Sequence, residues 1–162
     1  MRRSSTIPVL LALAVLPLPA RADEGAPLLT GTWSGSYVCA QGLTGLTLTI
    51  ERQSGSSFSG VFQFYPVKGN PAVPDGCFTV SGRVREAGAV EILGSRWLKQ
   101  PAGYITVDLH GRLARGGGAL SGVVETPAYG KLCSTFELTK ASTRPTIAAS
   151  CRPEAPAISK LF

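Results

Sequence analysis

The sequence predicts an all-β protein: a single antiparallel meander of about eight strands closed into a small barrel, with a β-sandwich as the alternative. Three observations predict it. Apolar residues recur at every second position, turn-forming clusters separate these runs at short intervals, and a small glycine-containing repeat recurs inside them.

Met1-Arg2-Arg3 is positively charged, Ile7 to Leu18 is apolar, and Ala20-Arg21-Ala22 is a small-x-small site. This is the layout of a secretory signal peptide over residues 1–22, so the chain is expected to be exported, to the periplasm or beyond the cell. Pro8 and Pro17 interrupt the apolar run, which is shorter than the ~20 residues that a membrane span needs. A barrel domain is expected over 23–140. The tail, 141–162, is rich in Ala, Pro and Ser and reads as irregular structure.

The first run places Trp33, Tyr37 and Cys39 on one face and Thr32, Ser34 and Ser36 on the other. Leu46, Leu48 and Ile50 then alternate with Thr47, Thr49 and Glu51, and Phe58, Phe62 and Phe64 lie opposite Gln63. Phe78, Val80 and Val84 alternate with Thr79, Ser81 and Arg83. Ile105, Val107 and Leu109 alternate with Thr106, Asp108 and His110, and Phe136 and Leu138 with Thr135, Glu137 and Thr139. One apolar and one polar face is the signature of an antiparallel strand buried on one side. Gln53–Ser57, Glu86–Gly88 and Ala114–Gly118 suit hairpins, whereas Pro66–Gly76 and Ser95–Gly103 read as longer loops.

The repeat is an apolar residue, then Ser, Thr or His, then Gly. It occurs at Leu43-Thr44-Gly45, Phe58-Ser59-Gly60, Val80-Ser81-Gly82, Leu109-His110-Gly111 and Leu120-Ser121-Gly122. Glycine weakens a strand, so its recurrence needs a reason; strands that coil to close a sheet need sites without a Cβ.

The whole-chain charge is +6; without Arg2, Arg3 and Arg21 it falls to 13 basic against 10 acidic residues, or +3. These charges are scattered, so nucleic acid is not an expected partner. Cys39, Cys77, Cys133 and Cys151 form an even set, which in an exported chain favours disulfides. Several pairings are open. A closed barrel makes its first and last strands neighbours, so Cys39 with Cys133 is the natural pair, provided a bulge at Leu132–Ser134 brings Cys133 into phase. Cys77 with Cys151 would then pin the tail across the barrel.

Gly31-Thr32-Trp33, opening the first strand of such a meander, resembles the calycin superfamily of lipocalins, fatty-acid-binding proteins and avidins. The resemblance implies that Trp33 closes one barrel end beneath a basic side chain, here Lys140 or Arg144. The wider Trp33-x-Gly-x-Tyr-x-Cys-x-Gln-Gly42 pattern is similar to the opening of small exported bacterial domains and brings no activity with it. The lipocalin helix and the polar constellation with which avidins hold biotin are both missing. The likeness therefore covers architecture over 31–140 and carries over no binding residue.

His110 is the only histidine, with Asp108 on the same strand face and Ser121 brought near by the 114–118 hairpin. Ser121, His110 and Asp108 would make a hydrolase only if the imidazole bonded both partners beside an oxyanion hole. Neighbours at i and i+2 on a strand instead point side by side, here toward solvent, so no enzyme is expected. No metal-ligand spacing occurs and no cofactor is expected. The glycines at 116–118 lead into no helix and read as a turn. The chain ends in Phe162, as outer-membrane barrels do in an aromatic, but the outward strand positions are polar and no membrane insertion is expected.

Trp97 lies in the loop-like stretch Ser95–Pro101, followed by Tyr104. With Phe62 and Phe64 these residues form the expected binding group at the barrel mouth. The favoured reading is a soluble protein that takes a small apolar ligand there. The alternative is a protein-binding module, such as an inhibitor of an exported protease: the outline resembles that of bacterial alkaline-protease inhibitors, small disulfide-bearing eight-stranded barrels, and that resemblance implies a short N-terminal trunk at Asp23–Leu29.

Overall fold

A computed structural model describes residues 26–152 of the chain. The expected signal peptide and the tail beyond Arg152 lie outside the described residues. Eight strands follow in order: β1 (Gly31–Cys39), β2 (Gly42–Ser54), β3 (Ser57–Tyr65), β4 (Gly76–Val84), β5 (Ala89–Lys99), β6 (Asp108–Leu113), β7 (Ala119–Glu125) and β8 (Cys133–Ser142). Each pairs antiparallel with the next, and β8 pairs with β1, so the sheet is a closed barrel. Closure leaves no edge strand, and the alternative of two packed sheets is set aside. Short 3-10 turns at Glu86–Gly88 and Ala149–Cys151 are the helical elements of the described residues.

The alternation sets the two sides of the wall. Leu46, Leu48, Ile50, Phe62, Phe64, Phe78, Val80, Ile92, Leu109, Leu120, Phe136 and Leu138 point inward and are buried in one continuous core. The inward glycines explain themselves by what surrounds them. A Cβ at Gly60 would run into the carbonyl oxygen of Thr49 on β2, and one at Gly122 into the carbonyl of His110 and the Cα of Gly111 on β6. The coiled strands approach too closely there for any side chain.

The seam between β1 and β8 pairs Trp33 with Lys140, Tyr37 with Phe136 and Cys39 with Cys133. From Tyr37 to Cys39 the first strand advances two residues while the last spans three, so β8 carries a bulge beside Cys133. That bulge brings the two cysteines into line, and Cys39–Cys133 is a disulfide across the seam. The second disulfide is Cys77–Cys151.

The second of these bonds anchors the tail. Past β8 the chain crosses the outside of the wall as a strap. Thr32 Oγ1 donates to the Arg144 carbonyl (3.0 Å) and accepts from the Thr146 amide (2.9 Å), and Thr49 Oγ1 donates to the Thr146 carbonyl (3.0 Å). Ile147 and Cys151 then pack on Val61, Cys77 and Leu98, a small apolar cluster on the outer wall. An outward Val61 and Leu98 would otherwise face water; the strap is their cover.

One barrel end is sealed. The Trp33 indole N–H donates to the Leu29 carbonyl (2.8 Å), and Leu29 is buried beneath the barrel. Gln53 clasps the same segment, accepting from the Leu29 amide (2.7 Å) and donating to the Pro27 carbonyl (2.8 Å). Lys140 lies over the Trp33 ring, 5.0 Å from its centroid, and donates to the Leu28 carbonyl (3.1 Å). Of the two basic residues considered for this place, Lys140 occupies it, from within the last strand. The hairpins at this end are short, whereas the loops at the other end, 66–75, 100–107 and 126–132, are the long ones.

Two boundaries differ from the sequence reading. Trp97 is not in a loop but on β5, opposite Phe78 on β4. Register shifts on either side of Phe78 disturb the two-residue period there, which is why Arg96-Trp97-Leu98 does not read as a strand. Conversely, Ile105 to Val107 alternate like a strand but lie outside one, since β6 begins at Asp108. β5 and β6 pair only from Ala89 to Ile92, and beyond that they part.

Candidate functional site

The four residues of the expected mouth group come from three elements and form two layers. Phe62 and Phe64 on β3 are fully buried, whereas Trp97 and Tyr104 are half-buried above them. Tyr104, from the loop after β5, stacks on Phe64 with centroids 5.2 Å apart and rings nearly parallel. Trp97 meets Phe64 edge-on at 6.2 Å and Phe78 at 5.1 Å. Phe62 sits deeper, stacked on Phe78 at 4.6 Å and touched edge-on by Tyr37 at 5.4 Å. Trp97 and Tyr104 therefore cap the aromatic column, and the interior is filled from the Leu29 seal upward.

A polar group lies beside this cap. The Gln41 side-chain amide donates to the Tyr37 hydroxyl (3.1 Å) and to Thr44 Oγ1 (3.2 Å), and the Thr44 hydroxyl donates to the Gly42 carbonyl (3.1 Å). Burial pushes the Tyr37 phenol above the ordinary tyrosine range, and the nearby Tyr104 adds to the rise against the bonds from Gln41 and Thr44. Tyr37 is thus a neutral hydrogen-bonding group at any physiological pH. Asn70 joins the 66–75 loop to this corner by donating to the Gln41 (2.6 Å) and Leu43 (3.1 Å) carbonyls.

The residues considered for hydrolysis are placed otherwise than a triad requires. Asp108 Oδ1 accepts from the Gly94 amide at 2.8 Å, supplying the bond that β6 no longer gives β5 where they part. The imidazole Nε2 of His110 lies 3.5 Å from Glu125 Oε2. Ser121 stands opposite Arg112, while His110 stands opposite Val123. Among the described residues no group of three or more His, Cys, Asp or Glu is placed to hold a metal ion.

Two cavities, of about 460 and about 490 Å³, are open depressions on the outer wall. The first lies over β5–β7 between Arg85, Glu91, His110, Arg112 and Ser121; the second lies between the strap and the Glu51-Arg52 bulge of β2.

A feature missed in the sequence is the exposed apolar set at the mouth rim. Val38, Leu43, Tyr129 and Leu132 are 37%, 48%, 59% and 43% exposed, and all lie where β7, β8, β1 and β2 end. Val38 stands directly opposite Leu43. The signal was available: Val38 occupies the outward phase of β1, after Thr32, Ser34 and Ser36.

Comparison of the chain with family models, with curated proteins and with solved structures returned no match. The closed antiparallel barrel is consistent with a calycin-like architecture.

Proposed function

We propose that this chain is an exported partner-binding module, a calycin-like barrel that recognises another exported protein through the loops and strand ends at its mouth. The observation that carries this reading is the filled interior. A carrier of small apolar molecules needs an internal void of roughly 300 Å³ or more. Here Phe62, Phe64 and Phe78 occupy that space, with Trp97 and Tyr104 above them. Recognition then falls to the outer surface, and the two ends of the barrel differ as a binding scaffold requires: one sealed by short turns, the other carrying long loops on a rigid wall. Inhibition of an exported protease is one form of such an activity. In that case the N-terminal trunk is not the working part from residue 27 on, because Pro27 and Leu29 are held on their own barrel by Gln53.

Export itself supports the reading. Two disulfides suit an oxidising compartment, and the signal-peptide pattern supplies the route.

The test pairs two measurements on residues 23–162. The immobilised protein is exposed to the exported fraction of its source, and retained species are identified by mass spectrometry. In parallel it is titrated with an anilinonaphthalene fluorophore. Retention of a defined protein with no saturable fluorophore site is expected. A single saturable fluorophore site that quenches with Trp97, and no retained protein, would return the assignment to a small-ligand carrier.

A further inference from the structure

We propose that the mouth rim over the Cys39–Cys133 seam, presenting Val38, Leu43, Tyr129 and Leu132 between Lys68 and Lys131, docks an apolar segment flanked by carboxylates on another exported protein. This rests on the partner-binding reading and names the surface and the chemistry that it takes.

Exposure is the first argument. Val38, Leu43, Tyr129 and Leu132 are among the most exposed large apolar side chains of the described residues, and they share one rim. Each gives up apolar burial without serving the core, and a gathered set of this kind marks an interaction surface. The backbone beneath is the second argument. The seam disulfide joins Cys39 to Cys133, next to Val38 and Leu132. Asn70 ties its loop to the Leu43 carbonyl, and the Thr126 hydroxyl donates to the Gly130 carbonyl under Tyr129. Apolar side chains on a frame already fixed lose little further freedom on binding.

Charge selects the partner. The rim segments 38–44 and 126–135 contain Lys131 and no Asp or Glu, and the 66–75 loop carries Lys68 beside its Asn70 tie and one acid, Asp75, at its far end next to β4. Both lysines are exposed. Carboxylates beside an apolar anchor complement this pattern, whereas a second copy of the same rim would bring lysines against lysines.

The probes are an extended peptide alternating Glu with Leu and Phe, the same peptide with Lys for every Glu, and phosphatidylglycerol vesicles. Binding is followed by methyl and amide chemical shifts. The acidic peptide is expected to shift Val38, Leu43 and Leu132 saturably. The double variant Val38→Asp/Leu43→Asp should weaken it about tenfold or more, and Lys68→Glu/Lys131→Glu several-fold. Leu93→Asp, on the outside of β5, should leave it unchanged. All these positions are exposed, so the variants keep the core, and circular dichroism verifies this. Equal binding of the Lys peptide, shifts away from the rim, no shifts, or rim shifts with vesicles alone would overturn the proposal. A partner retained from the exported fraction equally by wild type and by Val38→Asp/Leu43→Asp would sink the rim and leave the partner-binding reading standing. A wild-type protein that retains nothing would sink that broader reading instead.

Discussion

The ammonium of Lys140 lies 5.0 Å from the centre of the Trp33 ring, so a residue of the last strand covers one of the first at the sealed end of the barrel. Burial there lowers the Lys140 pKa from its ordinary value. Trp33 is completely buried and also holds the Leu29 carbonyl. Trp33→Ala should cost about 3–5 kcal/mol in urea denaturation, as large aromatic truncations do. Lys140→Ala should cost only about 0.5–1 kcal/mol, the scale of an exposed cation–π contact, and Lys140→Arg should recover most of it.

Alkali should loosen the barrel through Tyr37. Its phenol pKa is raised in the folded chain, so in alkali the unfolded chain loses its proton first. Stability is therefore full below about pH 10, the unfolded tyrosine value, and declines as pH rises above it, with a limiting slope of about 1.4 kcal/mol per pH unit. Urea midpoints measured between pH 8 and pH 11.5 check this. Tyr37→Phe should flatten the alkaline limb; an unchanged limb would assign the decline to another group.

Alanine should be poorly tolerated where the wall is pinched. Gly60→Ala and Gly122→Ala each force a methyl group against backbone of the adjoining strand, which cannot yield as a side-chain tip does. A loss of about 1–3 kcal/mol is expected for each. Gly118→Ala meets nothing within 4 Å and should stay within about 0.5 kcal/mol of wild type in the same thermal or chemical melts.

The strap should separate from the barrel when its anchor is cut. Cys77→Ala/Cys151→Ala removes a link between residues 74 apart in sequence and should cost about 2–5 kcal/mol. Amide exchange of Thr146 should accelerate strongly, while the ladder amides of β6 and β7 keep their order of protection. Uniform acceleration throughout would mean that the strap and barrel open as one unit.

The barrel was readable because its burial is one-sided and its period is two: Leu46-Thr47-Leu48-Thr49-Ile50 states both faces of β2 in five residues. The seam was readable too, since closure demands a partner for Cys39 and phase demands a bulge beside Cys133. Trp97 was not, because register shifts around Phe78 break the alternation on which the reading depends. Asp108 illustrates a different limit. Its place in the pattern is that of a solvent-facing strand residue, but its role comes from the parting of β5 and β6, which is decided by the whole sheet. The rim is a third case. Val38 and Leu43 become a surface feature only when pairing sets them side by side, and Tyr129 and Leu132 join them through the seam rather than through sequence proximity.

The two disulfides interleave, each with one of its cysteines inside the loop that the other closes. Under a stretching force applied at the chain ends, tension would reach Cys39 and pass directly to Cys133. The 94-residue stretch between them would then stay slack even after the hydrogen-bond ladder tears, hiding about 320 Å of contour length until a reductant is added. Under the export proposed above, where shear and proteases act on loosened chain, the crossed links would set a ceiling on how far it can be drawn open.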